Sequence, residues 1–146
     1  MPFEPTAAQR TLLDLVAGNR WGVLVTLKRD GTPQLSNVSY GWDPDRYTVR
    51  VSVTDDRVKT RNLLRDPRAS LHVTSKNFRN WTVVEGRAQL TPVATEPDDV
   101  AMRELIDLYR SVGGEHPDWD DFRAAMIRDH RRVAPLNVEH AYGLVQ

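Results

Sequence analysis

The spacing of apolar residues along the first part of the chain predicts a short amphipathic helix. Thr6 and Gln9 have the spacing of a capping box, in which each side chain bonds the backbone of the other residue. The apolar residues between Leu12 and Val16 fall on one helical face. Gly18 is a suitable residue to end the helix, so we expect about three turns before it.

After this helix the apolar period changes to that of strands. Segments rich in valine and threonine, or alternating apolar and polar residues, are separated by residues typical of turns. Asp30 and Gly31 form the first of these turns, where glycine supplies the positive φ that a tight hairpin requires. The predicted strands are residues 21–27, 33–40, 47–53, 69–74 and 81–90, with a strand-like segment at 132–144.

Two more helices are predicted between the last two strands. One starts near Asp99 and ends at Gly113, and the other has Asp118 as its N-cap. Sequential hairpins with a few helices favour a mainly β fold with flanking helices. We therefore predict a small antiparallel barrel with helices packed outside it, formed by a single domain over residues 1–146.

Composition narrows the classes of function. The 146 residues contain 20 Lys and Arg against 20 Asp and Glu, and no cysteine. Neutral charge argues against a nucleic-acid partner, and the lack of cysteine excludes thiolate chemistry and disulfides. Apolar runs are too short to span a membrane, so no membrane partner and a cytoplasmic location are expected. The four histidines lie far apart in the sequence, so we expect no metal site.

One segment departs from this neutral balance. Residues 50–68 contain six basic and three acidic residues, a local charge of +3. If a helix begins near Arg57, its free N–H groups and its dipole lie where the preceding strand ends. Arg57, Lys59, Thr60 and Asn62 would then surround a phosphate or carboxylate. The alternative is a solvated amphipathic helix without a ligand.

Two other polar groups are candidates for a site. Gln34, Ser36 and Asn37 interrupt the second predicted strand, where they could bond the edge of a planar heterocycle or simply mark an exposed strand. Lys76 and Asn77 lie in a polar loop, where exposure to solvent is a sufficient explanation. His130, Arg131 and Arg132 could reach the site of a neighbouring subunit, although a surface cluster is the simpler interpretation.

In order along the chain, these segments resemble one family. Residues 21–26, 30–38, 57–71, 85–90 and 114–119 are similar to the split-barrel flavin- and deazaflavin-dependent oxidoreductases of the pyridoxamine-phosphate-oxidase-like superfamily. The basic run from Arg57 and the Gly114–Trp119 segment resemble the actinobacterial branch that uses the deazaflavin coenzyme F420 rather than FMN. The resemblance implies a homodimeric, six-stranded antiparallel split β-barrel with two coenzyme sites at the subunit interface.

The resemblance also implies roles for particular residues. The basic run would hold the phosphate end of the coenzyme, strand two and the end of strand three would border the ring, and the loop after strand four would lie beside the site. In this chain the phosphate end falls on Arg57, Lys59, Thr60, Arg61 and Asn62, the ring on Gln34, Ser36, Asn37 and Ser52, and the loop on Lys76 and Asn77.

The function implied is hydride transfer from reduced F420 to an unsaturated small-molecule substrate, such as an enone or a linear tetrapyrrole. The alternatives are an FMN-dependent oxidase and a non-catalytic protein that binds or stores F420. Because the coenzyme carries out the hydride chemistry, few acid–base residues are needed, and the sequence indicates no catalytic residue. The chain ends in His140–Gln146 and lacks the C-terminal segment of pyridoxamine phosphate oxidases, so their substrate contacts do not transfer.

Overall fold

The computed structural model describes residues 2–146, in which helices and strands alternate as the sequence pattern predicts. No helix in this range is long and apolar enough to cross a membrane. The helices are α1 (Ala7–Ala17), α2 (Val58–Arg65), α3 (Val100–Gly113) and α4 (Trp119–Arg128). The strands are β1 (Trp21–Leu27), β2 (Pro33–Ser39), β3 (Gly41–Asp43), β4 (Thr48–Thr54), β5 (Arg68–Thr74), β6 (Trp81–Ala88) and β7 (Arg131–Leu144).

All the strands belong to one antiparallel sheet with the order β2-β1-β5-β6-β7-β4-β3. The two edge strands, β2 and β3, are consecutive in sequence and are separated by Tyr40 alone. Because the edges of the sheet are joined through one residue, the sheet curls back on itself. The fold is therefore a mainly β half-barrel with flanking helices, as the sequence predicted.

The number of strands differs from the six that the resemblance implied. The structure has seven, because the segment predicted as one strand over residues 33–40 bends at Tyr40 and continues as β3. Before the bend it pairs with β1, and after the bend Gly41 pairs with Arg50 of β4. Tyr40 is buried, and its hydroxyl donates to the carbonyl oxygen of Val16 at 2.6 Å.

Local signals in the sequence are confirmed at both ends of the helices and in the first hairpin. Thr6 and Gln9 form the capping box of α1, and the side chains of Asp99 and Asp118 accept backbone N–H groups at the starts of α3 and α4. Gly31 has a φ of 84° in the turn between β1 and β2. These signals act within a few residues, so neighbouring sequence is enough to specify them.

The core has two parts on opposite sides of the sheet. One fills the inside of the half-barrel with alternate residues of the strands and with Leu13 and Val16 of α1. The other lies outside, where α3 and α4 pack on β7 through Met102, Leu105 and Phe122. Both helices therefore cover the outer side of the β4–β7 part of the sheet.

The outer side of the other strands is open. Trp21 is 74% exposed, Leu35 is 59% exposed and Leu144 is 49% exposed. The strand register places Asn37, Val23, His72, Val83 and Tyr142 in a row across five strands. We call this surface the open sheet face, and it consists of Trp21, Val23, Leu35, Asn37, His72, Trp81, Val83, Tyr142 and Leu144.

The irregularity between Glu85 and Gly86 gives a test of the fold. The β6–β7 register shifts there, and a Cβ at Gly86 would overlap with the backbone carbonyl of Asn137. Gly86→Ala must push the strands apart, so we expect it to lower the free energy of unfolding by about 1–3 kcal/mol. Chemical denaturation followed by far-UV circular dichroism measures this change.

The neighbouring variant Arg87→Ala is the control. It removes an exposed ion pair with Glu139 and leaves the backbone unaltered, so its cost should stay below about 1 kcal/mol. Equal stability of the Gly86→Ala protein and the wild type would contradict the close approach of β6 and β7.

Candidate functional site

The start of α2 is an uncapped helix N-terminus. Arg57 occupies the N-cap position and makes no side-chain cap hydrogen bond. At the other three helices in the described chain, a threonine or aspartate side chain accepts from the first turn. The first N–H groups of α2 therefore point out of the helix without a side-chain acceptor, and the positive end of the helix dipole lies there.

Ion pairs account for much of the basic run that the sequence singled out. Arg50 bonds Asp107 of α3 at 2.7 Å, Arg61 bonds Asp55 at 3.2 Å and Arg68 bonds Asp66 at 2.8 Å. Arg65 donates to the carbonyl oxygen of Leu27 at 2.6 Å. Of the predicted cluster, Arg57 and Lys59 remain without a carboxylate within salt-bridge distance among residues 2–146.

A third cation joins them from a distant part of the chain. Arg131 begins β7, and the register places it opposite Thr54, the last residue of β4. Its Nε is buried with no hydrogen-bond partner in the described chain, and one terminal nitrogen donates to the carbonyl oxygen of Ser52 at 3.4 Å. We call Arg57, Lys59 and Arg131 the cation cradle.

The interpretation of His130, Arg131 and Arg132 as a surface cluster holds for His130, which is exposed, but was wrong for the two arginines, whose side chains are half-buried against their own chain. Arg132 bonds Asp55 at 2.8 Å and donates to the carbonyl oxygen of Thr91 at 2.9 Å. The sequence did not indicate that Arg131 belongs with Arg57, since the pairing of β4 with β7 spans most of the chain.

Arg57, Lys59 and Arg131 form no salt bridge within the described residues, although Asp55, Asp56 and Asp129 line the same groove as Arg57 and Arg131. The pKa of Lys59 lies below its ordinary value, first because the ammonium group is partly buried and second because Arg57 and Arg131 repel it. An anion bound between these groups would offset the repulsion and favour the charged form of Lys59. The electrostatics therefore favour a phosphate or carboxylate ligand at this point.

Two residues predicted to hold the phosphate are already used within the protein. The hydroxyl of Thr60 donates to the carbonyl oxygen of Thr54 at 2.7 Å, which ties the first turn of α2 to the end of β4. The side-chain amide of Asn62 donates to the hydroxyl of Thr26 at 3.1 Å. Both side chains are buried, so the structure brings them beside the cradle as supports of α2.

The residues predicted to border the ring lie on three different surfaces. Gln34 and Ser36 alternate with Asn37 along β2, so the first two point into the half-barrel and Asn37 lies on the open sheet face. The oxygen of the Gln34 amide accepts from Thr26 at 3.1 Å, whereas the Ser36 hydroxyl is buried without a partner in the described chain. Ser52 lies on the outer side of β4, under α3 and α4.

Lys76 and Asn77 lie in the exposed loop between β5 and β6, and the oxygen of the Asn77 amide accepts from Ser75 at 2.7 Å. The register places this loop at the Leu144 end of β7, whereas the cradle is at the Arg131 end. Within one chain these two residues are therefore far from Arg57.

A cavity of about 500 Å³ lies between α3, α4 and the sheet, and we call it the helix–sheet cavity. Its lining is mainly apolar, with a few polar groups, which is typical of small-molecule sites. Arg131 lines both this cavity and the groove beside Arg57, so it connects the cavity to the cradle. Other residues that line the cavity are Ser52, Leu105, Tyr109, His116, Phe122, Ala125 and Met126.

Comparison with known families places the fold and the site in context. The pyridoxamine 5'-phosphate oxidase family matches residues 8–143, nearly the whole chain. The chain belongs to the pyridoxamine 5'-phosphate oxidase family. Membership confirms the resemblance to the superfamily, and the start of α2 that carries the cradle lies within the matched range.

Solved structures with the same fold include proteins with different ligands. The family member described here superposes on a conserved hypothetical protein of Mycobacterium tuberculosis with a TM-score of 0.71 at 19% identity, over 97% of this chain and 85% of that one. Superposition on an F420 reductase gives a TM-score of 0.68 at 20% identity, over 95% of this chain and 98% of that one. Superposition on a pyridoxamine 5'-phosphate oxidase-related, FMN-binding protein from Nostoc punctiforme gives a TM-score of 0.60 at 14% identity, over 94% of this chain and 81% of that one. At these identities the likeness shows a common fold alone.

The lowered pKa of Lys59 predicts proton uptake on anion binding. Between the pKa of free folded Lys59 and its ordinary value of 10.5, part of the protein carries a neutral amine. A bound anion favours the ammonium form, so binding should take up a fraction of a proton at alkaline pH, and this uptake should disappear as the pH falls well below the pKa of Lys59. Calorimetric titration with pyrophosphate, in buffers with different ionisation enthalpies, measures this number.

Two variants separate Lys59 from other sources of protons. Lys59→Met should abolish the uptake at alkaline pH, whereas Arg61→Met, which removes an ion-paired residue of the same helix, should preserve it. Binding by the wild type without any proton uptake at alkaline pH would place the anion away from Lys59.

Proposed function

We propose that this protein is an F420-dependent reductase, which transfers a hydride from the reduced deazaflavin coenzyme to an unsaturated carbonyl compound. The observation that carries the proposal is the cation cradle: Arg57, Lys59 and Arg131 converge at an uncapped helix N-terminus without a carboxylate partner in the described chain. Such a site suits the phosphodiester of this coenzyme.

The number of unpaired cations favours F420 over FMN. F420 carries an oligoglutamate tail beyond its phosphate, so its anionic part has several charges spread over a longer length. Three neighbouring cations, Arg57, Lys59 and Arg131, suit such a ligand better than a single terminal phosphate. The run from Arg57 to Arg68 and the Gly114–Trp119 segment also resemble F420-dependent proteins, and an F420 reductase shares the fold over 98% of its length.

In this proposal the residues of the chain bind and orient the reactants. Arg57, Lys59 and Arg131 hold the anionic end of the coenzyme, and Ser52 lies on the strand that leads from the cradle towards the helix–sheet cavity. The bound deazaflavin would supply a carbon-centred hydride donor. The apolar lining of the cavity excludes water from the substrate, which strengthens the polar contacts made within it.

We also propose that two copies of the chain associate through the open sheet face. Trp21, Leu35, Tyr142 and Leu144 lie on this face and are between 43% and 74% exposed. Several exposed apolar side chains on one face, here together with Asn37 and His72, are typical of an association surface. A second copy is the proposed partner, because the resemblance implies a homodimer with its coenzyme sites at the subunit interface.

Removal of the cradle should weaken coenzyme binding. We expect Arg57→Ala combined with Lys59→Ala to reduce the binding free energy of F420 by about 2–4 kcal/mol, because two charge-assisted contacts are lost in a partly hydrated site. Arg131→Ala should have an effect of about 1–2 kcal/mol by the same reasoning. Titration followed by F420 fluorescence gives the dissociation constants.

Arg61→Ala is the matched control, since it removes a positive charge from α2 that is already paired with Asp55. This variant should lose less than about 1 kcal/mol of the binding free energy of F420. For the wild type, the affinity for F420 should fall with added salt, because salt screens the cradle. Tighter binding of FMN than of F420, with oxygen consumption, would favour the oxidase. Tight F420 binding without oxidation of the reduced coenzyme by a panel of enones and tetrapyrroles would favour the storage protein.

A charge on the open sheet face should disrupt the dimer. Leu35→Glu buries a carboxylate opposite an apolar surface in the proposed interface, so the wild type should sediment as a dimer and this variant as a monomer. Analytical ultracentrifugation measures both. Val100→Glu, at an exposed position in the first turn of α3, is the control and should remain dimeric. A monomeric wild type would refute the proposed association.

A further inference from the structure

The Gly114–Trp119 segment, which the sequence analysis singled out, forms the link between α3 and α4. Gly114 ends α3 with a φ of 75°, and Asp118 caps α4. Between them, His116 packs in a cluster of aromatic rings at the side of the helix–sheet cavity. Its ring centroid lies 5.1 Å from that of Tyr109 and 5.5 Å from that of Phe122.

The hydrogen bonding of His116 fixes which nitrogen is free. Nδ1 accepts the backbone N–H of Asp118 at 2.9 Å, so in the neutral imidazole the proton resides on Nε2. Nε2 has no partner among residues 2–146. The half-buried ring lines the cavity, and its Nε2–H is a donor that no described residue uses.

The other properties of the cavity indicate what it would accept. Tyr109 and Phe122 give it aromatic walls, and Leu105 and Met126 extend the apolar lining. Planar conjugated molecules pack well against such a surface. The wall shared with the cradle is Arg131, so a ligand in the cavity lies next to one held by Arg57 and Lys59.

From these observations we infer that the helix–sheet cavity is the substrate site, and that it binds a planar conjugated carbonyl compound whose oxygen accepts from Nε2 of His116. The claim that the bound compound is a substrate rests on the proposed function. The claim that it binds rests on the cavity alone.

In the reaction, His116 would hold the carbonyl oxygen and make the conjugated C=C bond a better acceptor. The β-carbon gains the hydride of the reduced deazaflavin, and the electron pair of the C=C bond moves towards the oxygen bonded to His116. A proton from water then adds to the α-carbon. The substrate is thereby reduced by two electrons and the coenzyme is oxidised by two.

The binding can be tested without coenzyme or catalysis. Coumarin is a planar conjugated lactone, and we expect it to bind the coenzyme-free protein in a calorimetric titration. Ala125→Phe fills part of the cavity and should weaken binding at least tenfold. Ala124→Phe places the same side chain on the exposed side of the same helix. The affinity of this variant for coumarin should stay within twofold of that of the wild type.

A second pair of measurements isolates the hydrogen bond. His116→Phe preserves an aromatic ring but lacks the donor, so coumarin should bind about tenfold more weakly, the effect of one well-formed hydrogen bond. His116→Gln retains an N–H donor and should restore most of the affinity. For 2H-chromene, which lacks the carbonyl group, the wild type and His116→Phe should bind equally well. A purely structural role for His116 would weaken both ligands alike.

The possible outcomes separate this inference from the proposed function. No measurable binding of coumarin, equal binding by the Ala125→Phe variant, or displacement of coumarin by saturating F420 would overturn the inference, the last because the coenzyme would then occupy the cavity. Binding of coumarin as described, in a protein that does not bind F420, would support the cavity as a carbonyl site and refute the proposed function.

Discussion

The mutual repulsion of three cations at the start of α2 is the constraint on which the site depends. Arg57 follows β4, Lys59 lies in the first turn of the helix, and Arg131 arrives from the beginning of β7. Partial burial strengthens the repulsion, because less water screens it. The pKa of Lys59 is lowered first by partial burial and then by repulsion from Arg57 and Arg131, as expected at a site that suits an anion.

The rest of the fold holds these charges together. Seven register pairs join β4 to β7 from Thr48 to Thr54, so the position of Arg131 is fixed by backbone hydrogen bonds. The Thr60 hydroxyl anchors the first turn of α2 to β4, and the Asn62 amide anchors the same helix to β1. These two hydrogen bonds hold the uncapped helix end beside the cations. The first turn of α2 contains no acidic residue that would balance their charge.

The elements of the fold were largely predictable because their signals are local, whereas the site required long-range pairing. The bend at Tyr40 divides one predicted strand because its two halves pair with β1 and β4, a fact that no local pattern contains. Arg131 joins Arg57 for the same reason. The separation of Gln34 and Ser36 from Asn37 was predictable from the sequence, because successive side chains of a strand point to opposite faces. The roles of Thr60 and Asn62 as supports depend on burial, which the sequence does not state.

Two predicted residues have a place in the site only if the chain associates. Lys76 and Asn77 lie at the opposite end of β7 from the cradle, beyond the open sheet face. A twofold axis that lies in the interface plane and perpendicular to the strands would reverse the strand direction in the second copy. Its β5–β6 loop would then approach the Arg131 end of the first copy, where Arg57 lies. In the proposed dimer, each cradle would thus be bordered by a loop that its own chain does not supply, and association would complete the coenzyme site.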